Sequence, residues 1–147
     1  MLGPDEFFVG YLTTAIEPTE VLTEIRFAAM SSRAGNAFVE VSRRHGDFAL
    51  VGAAAVVHAA GDGRYRDVRL AFIGVGPTPV RVKEAEAALE GQRLQESLVD
   101  DVARLVTDRL DPESDIQASA EYRKHVGGVL ARRALLAAAS RAGGQRA

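Results

Sequence analysis

Apolar and polar residues alternate along the first half of the chain, and this pattern predicts β-strands. Residues 37–42 place Phe38 on one face of a strand, with Val39 and Val41 on the other. Residues 48–59 form a continuous apolar run rich in Val and Ala, which is typical of a buried central strand. Two further strands are predicted at residues 21–27 and 65–75.

The second half has the spacing of helices. Helices are predicted at residues 83–89, 94–110 and 118–141. Gly127 and Gly128 lie inside the last helix and each cost it about 1 kcal/mol relative to Ala, which favours close packing against another backbone or a kink. The core side of this helix is predicted to hold Tyr122, Val126, Val129, Leu130 and Leu136, with Arg123 elsewhere.

Strands followed by helices predict an α+β fold. We expect an antiparallel sheet of three to four strands, followed by three helices packed on one face. The run Gly61-Asp62-Gly63 suits the turn of a hairpin between two of these strands. The 147 residues fit a single domain, residues 1–147, with flexible ends at residues 1–6 and 142–147.

The composition excludes several classes of function. The net charge is −2, so the chain lacks the basic excess of proteins that wrap nucleic acid. There is no cysteine, which excludes disulfides, thiolate metal sites and cysteine nucleophiles from this chain. The acidic N-terminus lacks the pattern of a signal peptide and no apolar run is long enough to span a bilayer, so we expect a cytoplasmic protein with no membrane partner.

The turn at residues 42–47 concentrates polar chemistry between two apolar strands. It holds Arg43, Arg44, His45 and Asp47. One interpretation is a solvated hairpin tip with a local Arg–Asp pair. The other is a site for an anion or for the edge of a cofactor, because guanidinium groups offer forked donors to phosphates and electron-rich rings.

Residues 7–14 form a second cluster, in which apolar and aromatic residues precede two threonines. They are interpreted either as an extended segment anchored to the core or as an arm against a partner domain or an aromatic cofactor. Elsewhere, the three histidines have no metal-ligand spacing, and residues 74–76 lack the third glycine of a dinucleotide fingerprint. No catalytic carboxylate pair or nucleophile–His pair is evident, so an independent small enzyme is the weaker hypothesis.

Four segments together resemble one known domain. They are residues 7–26, 42–51, 74–81 and 119–125, in this order and with fitting spacing. The domain is the C-terminal domain of the FAD-binding medium subunit of molybdenum hydroxylases, a group that includes aerobic carbon monoxide dehydrogenase and the xanthine dehydrogenases. The resemblance extends from about residue 6 to residue 136.

The resemblance implies a sheet of three or four antiparallel strands with three helices. It also implies a role in an FAD-containing electron-transfer subunit, whose partners are iron–sulfur and molybdopterin subunits. In that family the C-terminal domain covers the flavin-ring side. By position, Arg43 is then expected to tune the flavin electrostatically. Arg44 and Asp47 are expected to position the loop, and Tyr11 is a further cofactor-binding candidate.

The Gly-rich loops that hold the FAD phosphates in this family do not precede the domain in this sequence. The chain is therefore expected to bind FAD only together with a separate FAD-binding domain or chain, and not to be catalytic by itself. Three explanations fit the missing Gly-rich loops. They are a split gene, a shortened form of a longer chain, and a domain recruited to another task. The alternative hypothesis is a freestanding interaction or scaffold protein without FAD, which assembles with itself or with another enzyme.

Overall fold

The computed structural model describes residues 1–142, which form a short N-terminal region followed by a sheet and three helices. The elements in chain order are α1 Pro4–Phe7, β1 Phe8–Gly10, β2 Thr13–Thr14, β3 Ala34–Val41, β4 Val51–Ala59, β5 Tyr65–Ile73, β6 Val80–Arg81, α2 Lys83–Leu89, α3 Glu96–Arg109 and α4 Ala120–Ala142. Residues 143–147, which make up nearly all of the predicted flexible C-terminal end, lie outside the described residues. Flexibility of residues 1–6 stays a prediction.

The main sheet has four antiparallel strands in the order β3-β4-β5-β6. Ala37 pairs with Ala55, and Ala55 in turn pairs with Leu70, so side chains of one face line up across three strands. This face packs against the helices, and α4 lies over β3 and β4. The predicted α+β class is confirmed.

Alternation along the strands separates a buried face from an outer one. Ala37, Leu70 and Phe72 are buried on the helix side, whereas Phe38 is 56% exposed on the other side, as the pattern of residues 37–42 predicts. The hairpin between β4 and β5 turns at residues 61–63, where Gly63 has a positive φ of 77°.

Glycines allow α4 to approach its neighbours closely. A Cβ added at Gly35 of β3 would overlap the backbone of α4 at Ala138 and Ala142. On the other side of α4, a Cβ at Gly128 would lie 2.8 Å from the Ala103 carbonyl oxygen of α3. Gly128 therefore marks close packing against another backbone, which is the first of the two predicted alternatives.

The sheet edge at β6 is completed by a buried carboxylate. Glu86 of α2 is 8% exposed, and its Oε1 accepts hydrogen bonds from the Leu70 backbone N–H and from Arg81 Nε, both at 2.9 Å. The Glu86 carboxylate thus accepts from a backbone N–H of β5 that has no partner on the two-residue β6.

The predicted strand at residues 21–27 is wrong, because these residues form no strand in the structure. The two-residue β6 supplies the fourth strand of the sheet instead. The apolar run at residues 48–59 pairs only from Val51 onward, and Phe48 is 98% exposed in the preceding loop. Among residues 1–142, no helix has the length and apolar character needed to cross a membrane.

Candidate functional site

The turn at residues 42–47 joins β3 to β4 and is closed by hydrogen bonds. The Leu50 N–H donates to the Val41 carbonyl at 2.8 Å, and the Asp47 N–H donates to the Arg44 carbonyl at 3.1 Å. The Ser42 hydroxyl also donates to the Arg44 carbonyl, at 3.1 Å. Gly46 takes a positive φ of 89°, which explains why a glycine suits this position.

This turn forms one wall of a cleft with a volume of about 630 Å³. The opposite wall comes from the loop before α4 and from the first turn of α4. The residues lining the cleft are Arg43, Arg44, Gly46, Asp47, Phe48, Ala49, Leu50, Asp115, Gln117 and Arg123. The cleft therefore brings together Arg43, Arg44 and Asp47, three of the four residues for which a cofactor role is predicted.

Tyr11, the fourth candidate, lies outside this cleft. It is 69% exposed between β1 and β2, and its carbonyl accepts a hydrogen bond from the Thr13 hydroxyl at 2.9 Å. The N-terminal hairpin is thus an exposed arm rather than a segment anchored to the core.

Arg123 fixes the floor of the cleft. The prediction that it lies away from the core is wrong: it is 7% exposed, whereas Tyr122 and Val129, which were predicted to face the core, are 45% and 36% exposed. Its Nη1 donates to the Leu50 carbonyl at 2.5 Å and to the Gly74 carbonyl at 2.9 Å. It therefore ties the start of β4 to the end of β5.

Asp115 connects Arg123 to the loop above it. One carboxylate oxygen accepts from Arg123 Nη2 at 2.7 Å, and the other accepts from the backbone N–H groups of Gln117 and Ala118, at 2.8 and 2.9 Å. These bonds hold the pKa of Asp115 below its usual value, the backbone donors more strongly than Arg123. The carboxylate is therefore kept ionised in the loop.

Gln117 carries this arrangement to the turn. Its side-chain oxygen accepts a hydrogen bond from Arg43 Nη1. The buried Arg123 thus binds Asp115, Asp115 binds the Gln117 backbone, and the Gln117 side chain binds Arg43 across the cleft. Within residues 1–142, Asp47 forms no ion pair with Arg43 or Arg44, so the local pair of the solvated-tip interpretation is not formed.

The charges of the cleft favour an electron-rich ligand. Arg43 and Arg44 are the exposed guanidinium groups of the cleft, since Arg123 is paired with Asp115, and Phe48 adds an exposed aromatic ring. Such an arrangement suits hydrogen-bond acceptors and planar rings. In the part of the chain that the structure describes, no group of three or more His, Cys, Asp or Glu side chains is placed to hold a metal ion.

Sequence reasoning missed Asp115, Gln117 and Arg123 as cleft residues. A signal for Arg123 was present, because it lies three residues before Val126 and seven before Leu130, on the buried stripe of α4. No comparable signal marks Gln117, whose role depends on a contact with a residue 74 positions away.

Comparison with known proteins identifies the family. The model of the CO dehydrogenase flavoprotein C-terminal domain matches residues 36–138, most of the chain. The chain belongs to this family. The expected resemblance is confirmed.

Two relatives of this chain are subunits of bacterial dehydrogenases. Caffeine dehydrogenase subunit beta of Pseudomonas sp. (strain CBB1) is 38% identical over 141 residues, which is 96% of this chain and 48% of that protein. The putative xanthine dehydrogenase FAD-binding subunit of Escherichia coli (strain K12) is 28% identical over 142 residues, 95% of this chain and 48% of the relative.

A solved structure of carbon monoxide dehydrogenase from Hydrogenophaga pseudoflava, which lacks the Mo-pyranopterin moiety of its molybdenum cofactor, has the same fold. It superposes with a TM-score of 0.87 at 35% identity and covers 93% of this chain and 47% of that chain. The chain thus spans about half the length of each of these three proteins.

Proposed function

We propose that this chain is the C-terminal part of the FAD-containing electron-transfer subunit of a molybdenum hydroxylase-type oxidoreductase, and that its Arg43 cleft covers the flavin-ring side. The observation that carries the proposal is the family match combined with the cleft, because Arg43, Arg44 and Asp47, three of the four residues predicted to face the flavin, line one concave surface. Iron–sulfur and molybdopterin subunits are the further partners that this proposal implies.

The donors of the cleft fit one end of FAD. Arg43 and Arg44 are exposed guanidinium groups, which suit the carbonyl edge of an isoalloxazine ring. The sequence has no Gly-rich loop to hold the phosphates, so that end of FAD must be held by the FAD-binding half of the subunit. When bound, FAD supplies the redox chemistry of the subunit.

The contribution of this chain is electrostatic and positional. A fixed cation beside the ring edge stabilises negative charge there, and more strongly when the guanidinium is already oriented. Gln117 provides that orientation for Arg43, while Asp115 and Arg123 hold Gln117 in place.

Reconstitution tests the proposal. The chain is co-expressed with the FAD-binding half of its subunit, or with the corresponding half of the Escherichia coli relative, and the purified complex is examined for flavin absorbance. We expect a coloured complex, whereas the chain alone stays colourless.

The role of Arg43 is tested in the same complex by redox titration. Arg43→Gln should lower the flavin midpoint potential, because the reduced anionic flavin loses a stabilising cation. Arg133→Gln, at an exposed arginine of α4 outside the cleft, is the matched control and should leave the potential unchanged. Absence of any complex would instead favour the freestanding interaction protein.

A further inference from the structure

Residues 21–27, here called the unpaired segment, have the sequence of a β-strand without being in a sheet. They read Val-Leu-Thr-Glu-Ile-Arg-Phe and are rich in the β-branched and aromatic residues typical of strands. Within residues 1–142, no backbone–backbone hydrogen bond involves residues 21–30. The backbone donors and acceptors of this segment are therefore free to pair with another strand.

The two sides of the unpaired segment differ in character. Glu24 accepts two hydrogen bonds from Arg26, at 2.8 and 3.0 Å, which places side chains two positions apart on the same side, as in an extended strand. The other side presents Val21, Ile25 and Phe27, which are 81%, 64% and 88% exposed, together with Thr23, whereas Leu22 shares the side of Glu24 and Arg26. One mainly polar and one mainly apolar side are typical of a strand that covers a core.

The body of the chain offers little room for this strand on its own sheet. At the β3 edge, Arg141 Nη1 donates to the Asn36 carbonyl at 2.5 Å. At the opposite edge, Glu86 accepts from the Leu70 N–H next to the two-residue β6. At each edge a side chain therefore already bonds one main-chain group, which disfavours pairing of a further strand at that point, in this copy or in a second one.

The comparisons point to where the partner strand lies. The family model of the C-terminal domain begins at residue 36, after the unpaired segment. The caffeine dehydrogenase subunit nevertheless aligns over 96% of this chain, so the segment is shared with a relative of about twice the length. The segment is therefore common to the longer subunits but lies outside the C-terminal domain itself.

We propose that the unpaired segment completes a β-sheet of the FAD-binding half by strand addition, with Val21, Ile25 and Phe27 facing the core of that half. This inference rests on the proposed function, because it names the surface through which the two halves join. Main-chain hydrogen bonds would supply affinity, and the apolar side would fix the register.

Amide hydrogen exchange tests the pairing directly. The chain is measured alone and in complex with the FAD-binding half, supplied as a separate polypeptide. Amides of residues 21–27 should exchange freely in the chain alone, and alternate amides should slow by about tenfold or more in the complex.

A proline scan distinguishes a strand from an ordinary apolar contact. In an edge strand every second N–H faces the partner, so a proline is tolerated at one position and harmful at the next. Among Thr23→Pro, Glu24→Pro, Ile25→Pro and Arg26→Pro, we expect one alternate pair to weaken binding by about tenfold and the other pair to bind nearly normally. Ala29→Pro, outside the segment, is the matched control.

Each outcome decides between the proposals. A flavin-containing complex in which residues 21–27 stay unprotected, or equal weakening by all four prolines, would overturn the strand addition and leave the proposed function standing. Failure to form any complex would overturn both. Protection of the segment in the chain alone, with a dimer in light scattering, would show that a second copy is the occupant and overturn our assignment of the partner.

Discussion

At the scale of single residues, Arg123 links the fold to the candidate site. Its guanidinium contacts two strand ends and one loop carboxylate at once, so the same side chain closes the sheet and sets the position of Asp115. Only a planar fork with several fixed donors makes these contacts together. The contacts by which Arg123 joins the ends of β4 and β5 therefore also form the floor of the cleft.

Arg123→Lys should destabilise the protein although it keeps the charge. An ammonium group cannot replace the divergent bonds to the Leu50 and Gly74 carbonyls, so the free energy of unfolding should fall by about 1–3 kcal/mol. Urea denaturation measures the loss. Arg133→Lys, at an exposed position of the same helix, is the control and should change stability by no more than about 0.5 kcal/mol.

Asp115 gives the loop a defined dependence on pH. Its pKa is lower in the folded protein than the ordinary value of 3.8, so its stabilising contribution is complete above that value and is lost as the pH falls through the folded pKa. The stability difference between wild type and Asp115→Asn should therefore shrink as the pH is lowered from about 5 to about 3. Parallel curves in pH-dependent urea denaturation would contradict this prediction.

At the scale of elements, close packing of α4 explains most of the architecture. β3 approaches one side of α4 at Gly35, and α3 approaches the other side at Gly128. Small residues thus bring three elements into near backbone contact, and the sheet and helices form one core from Ala37 to Ala142.

The loss of stability on replacing a glycine with alanine should depend on which atoms the new methyl group contacts. Gly35→Ala meets backbone and should be the most harmful, Gly128→Ala meets Thr107 and the Ala103 carbonyl, and Gly127→Ala meets only the end of the Leu110 side chain. We expect losses of about 1–3 kcal/mol or more for the first two, despite the better helix propensity of Ala at position 128.

Thermal unfolding measures this ranking. Gly10→Ala is the control, because a Cβ there has no neighbour within 4 Å. A stabilised Gly128→Ala variant would mean that α3 and α4 can separate at little cost.

Local pattern predicts a strand correctly only where the folded chain also provides a neighbouring strand. β3, β5 and α2 follow from alternation, helical spacing and turn glycines, all of which are visible over short stretches. Residues 21–27 have an equally clear strand pattern and still form no strand, because a strand needs a neighbour to bond with. The cleft shows the same limit, since Arg43 meets Gln117 only after the whole core has assembled.

At the scale of the whole molecule, the structure divides into a packed body and an exposed N-terminal region. Among residues 1–142, the buried hydrophobic residues all lie between Ala37 and Ala142. The N-terminal region instead exposes large apolar side chains, Leu12 and Phe27 among them, at 109% and 88%. The body therefore contains the whole core.

Removal of residues 1–30 should leave the stability of the body nearly unchanged. The segment contributes no buried side chain, and its hydrogen bond to the body, from Asn36 Nδ2 to Met30 Sδ, is long at 3.9 Å. We expect calorimetry to show a melting temperature within about 2 °C of the full chain, since surface contacts of this kind contribute little. A large drop would show that the N-terminal region packs on the core in solution.

If the FAD-binding half covers the N-terminal region, as proposed, exposure of this region distinguishes orphan chains from assembled ones. A chain without its partner displays an apolar, unpaired strand sequence, which is the kind of surface that chaperones bind and proteases cleave. If a partner strand covers it, that signal disappears. The lifetime of the chain would then depend on the supply of its partner, and the two halves would accumulate in matched amounts.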